Sequence, residues 1–145
     1  MSEHIWIRSH VERLLQEEWE ACRVQPDDDD DYHFRRGTAA CWVRLLDTAD
    51  RPMIRVWAEA AIGVKASVAM WKELNDIQRR CLSTAVVWVD GRVLVSQTLS
   101  PIGLTGPVLA QALDAVGNVA DDVGLLLAGM FGGSTPYPVD LEVST

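Results

Sequence analysis

The chain has 145 residues, of which 48% are apolar and 23% charged, a composition typical of one globular domain and not of a disordered tail. Its net charge of −8 disfavours nucleic acids and anionic membranes as partners, because both require a basic surface. Charged residues interrupt the apolar ones from Met1 to Leu15, so this stretch lacks the core of a signal peptide. No apolar run reaches the length of a membrane span. We therefore expect a single domain over residues 1–133, followed by a tail.

The three cysteines, Cys22, Cys41 and Cys81, are far apart, and each lies in an apolar pattern. Zinc sites usually show paired cysteines at C-x-x-C spacing, which this sequence lacks. We therefore interpret the cysteines as reduced core thiols of a cytoplasmic protein and expect no bound metal.

The first predicted element is an amphipathic helix from Ile5 to Cys22, in which apolar residues recur at helical spacing between arginines and glutamates. Trp6 lies off the apolar stripe, where a large aromatic residue is unusual. We interpret it as a lid over the edge of the core, with a contact residue as the alternative.

Five consecutive aspartates, Asp27 to Asp31, follow this helix. Carboxylates at alternate positions are typical of calcium loops, but an EF-hand loop counted from Asp27 requires glycine and glutamate where Tyr32 and Thr38 stand. We therefore interpret the run as a solvated acidic turn whose charges repel one another and stay in water. A cation site is the alternative.

Three strands are predicted next, at residues 32–35, 38–46 and 53–59, with a turn at Gly37 and another from Asp47 to Pro52. Alternation assigns one set of apolar residues to a core face: Ala39, Cys41, Val43, Leu45, Ile54, Val56 and Ala58. The opposite face carries tryptophan and methionine among arginines, where polar residues would be expected.

A second helix is predicted from Val64 to Cys81, followed by strands 84–89 and 92–99 around Asp90-Gly91. Asp-Gly between two apolar runs is a strong hairpin signal, because a type I′ turn needs positive φ at both positions. The turn sets the strand pairing as Val89–Arg92, Trp88–Val93, Val87–Leu94 and Val86–Val95. Both faces of this hairpin are apolar, so both should be covered.

The last helix is predicted to begin near Thr105, with Pro107 in its first turn, and to end at Gly132 and Gly133. The tail, 134–145, contains two prolines and is expected to be loosely ordered. The full order is α-β-β-β-α-β-β-α, which predicts an α+β fold.

No catalytic motif is present: the sequence has no G-x-S-x-G, no phosphate-binding glycine loop and no H-E-x-x-H. His4, His10 and His33 lie at polar or exposed positions with no nucleophile near them in sequence. We therefore expect no enzyme activity, no catalytic residue and no cofactor. The alternative is a small-molecule or metal-dependent enzyme whose site assembles only in the fold.

The order of elements resembles the secretion-chaperone-like fold shared by type III secretion chaperones and bacterial YbjN-like proteins. Five short motifs at matching spacing favour the YbjN-like branch: Asp29 to Arg35, Leu74-Asn75, Asp90-Gly91, Ala120-Asp121 and Phe131-Gly132-Gly133. The resemblance spans about residues 5–133. One departure is that the acidic turn lacks the glycine expected among its aspartates.

The resemblance implies a five-stranded antiparallel sheet packed with helices, in a homodimeric binder that holds extended segments of protein or peptide partners. The residues expected to contact a partner lie on the aromatic sheet face and the hairpin: Trp42, Arg44, Met53, Arg55, Trp57, Val87 and Leu94. Two alternatives stay open. The face can be buried by the chain itself or by a second subunit, and the protein can be a dedicated regulatory subunit of one cognate protein.

Overall fold

The computed structural model describes residues 2–21, 23–47 and 51–139, which form an α+β fold in the predicted element order. The described part of the chain has three helices and five strands, α1 (Ser2–Glu18), β1 (Tyr32–Arg36), β2 (Ala39–Asp47), β3 (Pro52–Ala61), α2 (Val68–Arg80), β4 (Ala85–Val89), β5 (Arg92–Leu99) and α3 (Gly106–Phe131). The predicted fold class is confirmed.

The strands form one antiparallel sheet in the order β1-β2-β3-β5-β4. Asp90 and Gly91 both have positive φ, 51° and 85°, as the predicted hairpin requires. All four predicted residue pairs of this hairpin are present. The pairing of β3 with β5 shifts between Glu59 and Ala61, where a bulge puts two successive alanines, Ala60 and Ala61, in the buried interior.

All three helices pack on the same face of the sheet. Their buried side chains share one apolar cluster with that face, whose largest members include Leu15, Ile54, Val56, Met70, Leu109, Leu113 and Leu127. The predicted core residues of β2 and β3 belong to this cluster or, in the case of Leu45, pack against it. The opposite face, which we call the outer face, has no helix on it among the described residues.

The boundaries of the first two helices differ from the predicted ones. The second helix begins at Val68 and not at Val64, because the side chain of Ser67 accepts a hydrogen bond from the Met70 amide and so caps it. Val64 belongs to the preceding loop, where its amide donates to the carbonyl of Gly91. The first helix begins at Ser2 and not at Ile5, it ends at Glu18, and Cys22 lies outside the described residues.

The last helix has the predicted ends, with Thr105 as its N-cap and Gly132 in the left-handed conformation at its C-cap. The chain then returns to the sheet. Ser134 and Ile62 exchange two hydrogen bonds of 2.8 Å, and the Tyr137 amide donates to the carbonyl of Thr38 at 3.1 Å. The first part of the predicted loose tail is therefore hydrogen-bonded, while residues 140–145 lie outside the described ones. The domain boundary at residue 133 stays a prediction.

Helix α3 crosses β3 so closely at Gly124 that a Cβ there would overlap the carbonyl oxygen of Ala60. We expect Gly124→Ala to lower the free energy of unfolding by about 1–3 kcal/mol, because the backbone of β3 must shift to make room. Urea denaturation monitored by circular dichroism measures the change.

The matched control is Gly129→Ala in the same helix, where an added Cβ meets nothing within 4 Å. It should raise the free energy of unfolding by about 0.5–1 kcal/mol, because alanine has the higher helix propensity. Equal and favourable effects of both substitutions would contradict this close packing of α3 on β3.

Candidate functional site

Six of the seven residues predicted to contact a partner project from the outer face, and the seventh, Met53, does not cluster with them. Five of them, Arg44, Arg55, Trp57, Val87 and Leu94, line an open groove of about 310 Å³ together with Arg92 and Ser96. Trp42 flanks the groove because its ring stacks on that of Trp57. Met53 lies at the beginning of β3, in a separate pocket with Ile7 and Leu45.

Aromatic rings continue from the groove across the sheet in a row formed by Trp57, Trp42, His33 and Tyr137. Trp42 and Trp57 are cross-strand partners whose ring centroids lie 4.3 Å apart. His33 follows at 5.2 Å from Trp42, and its Nε2 lies 2.9 Å from the Tyr137 hydroxyl. The indole N–H of Trp57 is buried and has no hydrogen-bond acceptor among the described residues.

Two arginines lie side by side in the groove, because Arg44 of β2 pairs directly with Arg55 of β3. Arg44 donates two hydrogen bonds to the Asp31 carboxylate, at 2.6 and 2.7 Å, and this carboxylate raises the pKa of Arg44. Its guanidinium also lies 5.7 Å from the Trp57 ring centroid. Arg55 donates only to the hydroxyl of Thr98, at 3.3 Å, and has no carboxylate partner among the described residues.

The acidic run is a folded turn that holds one of these arginines in place. Asp27 accepts hydrogen bonds from the amides of Asp29 and Asp31 through its side chain. The Asp31 side chain is only 3% exposed, so the prediction that the charges of this run stay in water is wrong at that position. The pairing with Arg44 compensates its burial. No cluster of three or more metal-ligating side chains is present among the described residues.

Sequence reasoning missed two contributors to the outer face. Arg92 lines the groove, and its Nε donates to Glu59 at 2.6 Å. Strand alternation could have placed Arg92 on the outer face, because it lies two residues before Leu94 in the predicted hairpin and therefore on the same side. No sequence pattern indicated Tyr137, since its position depends on the return of the chain after α3.

The described histidines and cysteines take structural positions. Nε2 of His10 lies 2.8 Å from the carbonyl of Leu104, and the ring stacks on Trp6, which is 59% exposed. Cys41 is fully buried, and burial raises the pKa of its thiol to about 12, as expected for an inert core thiol. Cys81 is half-buried against the core. The His4 side chain is outside the described ones.

These features define a class of protein: an α+β domain with one sheet face covered by helices and the other open and aromatic. The family model of T3SS (YopN, CesT) and YbjN peptide-binding chaperones, TY-Chap1, matches residues 6–139. The chain belongs to this family, as the sequence resemblance predicted. No helix in the described part of the chain combines the length and apolarity needed to cross a membrane.

Solved structures share the fold. A chain in the crystal structure of the ExsC-ExsE complex is 17% identical, with a TM-score of 0.64, over 82% of this chain and 94% of the other. A chain in the structure of the Yersinia pestis type III secretion chaperone SycH with a stable fragment of YscM2 is 19% identical, with a TM-score of 0.52, over 80% and 98%. No curated protein matches the sequence significantly.

The pairing of Asp31 with Arg44 generates a stability prediction. We expect Asp31→Asn to lower the free energy of unfolding by about 1–2 kcal/mol, because a buried carboxylate that accepts two charged hydrogen bonds is replaced by an amide. The loss of stability should lie at the lower end of the range for charged hydrogen bonds, because Arg44 is partly exposed and water can solvate its guanidinium. Chemical denaturation measures the change.

Asp30→Asn is the control one residue away, because Asp30 is 65% exposed in its ion pair with Arg8. It should change the free energy of unfolding by less than about 0.5 kcal/mol. If both substitutions cost the same, the Asp31 carboxylate has no special role in holding Arg44.

Proposed function

We propose that this protein is a non-enzymatic, cytoplasmic chaperone-like module that acts as a homodimer and holds an extended segment of a protein partner on the outer face. The observation that carries the proposal is the groove beside the stacked Trp42 and Trp57, on the sheet face that the chain's own helices leave uncovered. Membership of a peptide-binding chaperone family supports a protein or peptide as the partner.

The composition of the groove favours partner binding. Tryptophan and arginine are the residue types most enriched among those that dominate the energy of protein interfaces. The groove combines one tryptophan with three arginines, and Val87 in its wall is 44% exposed. An apolar side chain of a partner would remove this surface from water. Each Å² of apolar area buried in this way contributes roughly 25 cal/mol of favourable free energy.

The adjacent sheet edge favours binding to the face over addition of a strand. β4 is an edge strand, but the side chain of Gln78 in α2 occupies part of its edge. Gln78 Oε1 accepts from the Val86 amide at 2.6 Å, and its Nε2 donates to the carbonyl of Thr84 at 3.0 Å. A side chain thus takes the hydrogen bonds that an added strand would use.

A different surface supports the homodimer. Val68 and Trp71 lie one turn apart on α2, on the helical side of the sheet, and are 72% and 47% exposed. Exposed apolar side chains at neighbouring positions are typical of association surfaces. Because this surface and the outer face lie on opposite sides of the sheet, self-association and partner binding can occur together.

The first test substitutes the aromatic centre of the groove. Trp57→Ala should reduce the amount of partner that immobilised protein retains from native cytosol, measured by quantitative mass spectrometry. It should lower the free energy of unfolding by less than the substitution of a core residue does. Val56→Ala is the control, because the neighbouring Val56 is fully buried on the core face. It should lower the free energy of unfolding by about 2 kcal/mol and leave partner retention intact. A loss of stability in Trp57→Ala as large as in Val56→Ala would show that Trp57 is a core residue.

The second test addresses self-association. Val68→Asp puts a charge on the proposed dimer surface at the first residue of α2, where the helix dipole favours a carboxylate, so folding should be unaffected. We expect the dimer dissociation constant, measured by sedimentation equilibrium, to rise at least about tenfold. Trp57→Ala should leave that constant unchanged. A dimer that responds to Trp57→Ala and not to Val68→Asp would place the subunit contact on the outer face instead.

A further inference from the structure

The outer face has the opposite charge from the protein as a whole. The chain carries 21 acidic residues against 13 lysines and arginines. On the outer face of the described strands, four arginines, Arg35, Arg44, Arg55 and Arg92, stand beside a single glutamate, Glu59. A local cationic field in an acidic protein indicates a surface adapted to a particular charge pattern.

The charge of one arginine in the groove is unmatched. Asp31 neutralises Arg44, and Glu59 neutralises Arg92, whereas Arg55 bonds only to a neutral hydroxyl among the described residues. Arg55 also lies directly opposite Arg44, and like charges in that position destabilise a sheet. The charge of Arg55 is therefore available to a ligand, and a carboxylate bound beside it on the outer face would neutralise it.

Apolar surface lies next to this cation. Trp57 is two residues from Arg55 on the same face of β3, and Val87 and Leu94 line the same groove. The indole N–H of Trp57 is buried, so the donor that a partner can reach is the exposed Arg55. A complementary segment would bring a carboxylate together with apolar side chains.

We infer that the outer face recognises an acidic, extended segment of a partner protein, in which an aspartate or glutamate binds Arg55 and an apolar side chain two residues away packs on Trp57, Val87 and Leu94. The inference rests on the proposed function and adds the chemistry of the partner. A guanidinium binds carboxylates through two parallel hydrogen bonds, so Arg55 selects for carboxylate geometry as well as for charge. The net charge of −8 attracts basic peptides to the protein as a whole. A preference for acidic peptides would therefore have to come from a local site such as the outer face.

The test compares two fluorescein-labelled ten-residue peptides in which every second residue is serine. The positions between the serines alternate leucine with glutamate in one peptide and leucine with lysine in the other, because residues two apart in an extended segment lie on the same face. Binding to the full chain is measured by fluorescence anisotropy. We expect the glutamate peptide to bind at least about tenfold tighter, which is about 1.4 kcal/mol. Arg55→Glu should weaken that binding at least about tenfold and strengthen binding of the lysine peptide.

The matched control is Lys72→Glu, which makes the same charge change at an exposed position on α2, on the helical side of the sheet. It should change the affinity for the glutamate peptide less than about twofold. Circular dichroism of each variant establishes that it is folded.

Several outcomes separate this inference from the function on which it rests. A lysine peptide that binds as well as the glutamate peptide, with both weakened by Trp57→Ala, overturns the acidic preference and leaves the binding face in place. Binding that Trp57→Ala does not weaken overturns both. An absence of binding of the glutamate peptide overturns the inference. The inference is also overturned if Arg55→Glu changes the dimer dissociation constant and not the affinity for the glutamate peptide, a result that would assign the outer face to a second copy of the chain.

Discussion

Helix α3 packs so closely on β3 that only glycine fits at residue 124, and the other elements are arranged around this contact. α3 contacts four of the five strands and both other helices. Because α1 and α2 bury their apolar stripes in the same cluster as α3, all the helical cover available in the described chain goes to one face of the sheet. The opposite face therefore meets solvent or a partner.

The open face is tolerated in water because arginines and stacked rings share its apolar surface. Trp42 and Trp57 cover part of each other, and the Arg44 guanidinium lies near the Trp57 ring, where the ring face attracts a cation. Asp31 holds Arg44 from the acidic turn. The two neighbouring arginines still repel each other, and a carboxylate of the proposed partner would reduce that repulsion.

Local rules predicted the fold well, because alternation, turn chemistry and capping act over a few residues. They predicted which residues of β2 and β3 lie on the core face and which on the opposite face. They also predicted the hairpin pairing through Asp90 and Gly91 and the caps at Thr105 and Gly132. They failed where distant segments meet. The burial of Asp31 depends on Arg44 thirteen positions away, and the position of Met53 depends on Ile7 of α1. Tyr137 reaches the aromatic row only because the chain turns back after α3.

The central claim is that partners bind the outer face and not the helical side. The most direct measurement is the nuclear magnetic resonance signal of each tryptophan indole N–H before and after a partner segment binds. The account predicts that the signals of Trp42 and Trp57 shift, while that of Trp19, which packs on Phe34 against the core, stays in place. Shifts confined to Trp71 on α2, with Trp42 and Trp57 unchanged, would contradict it.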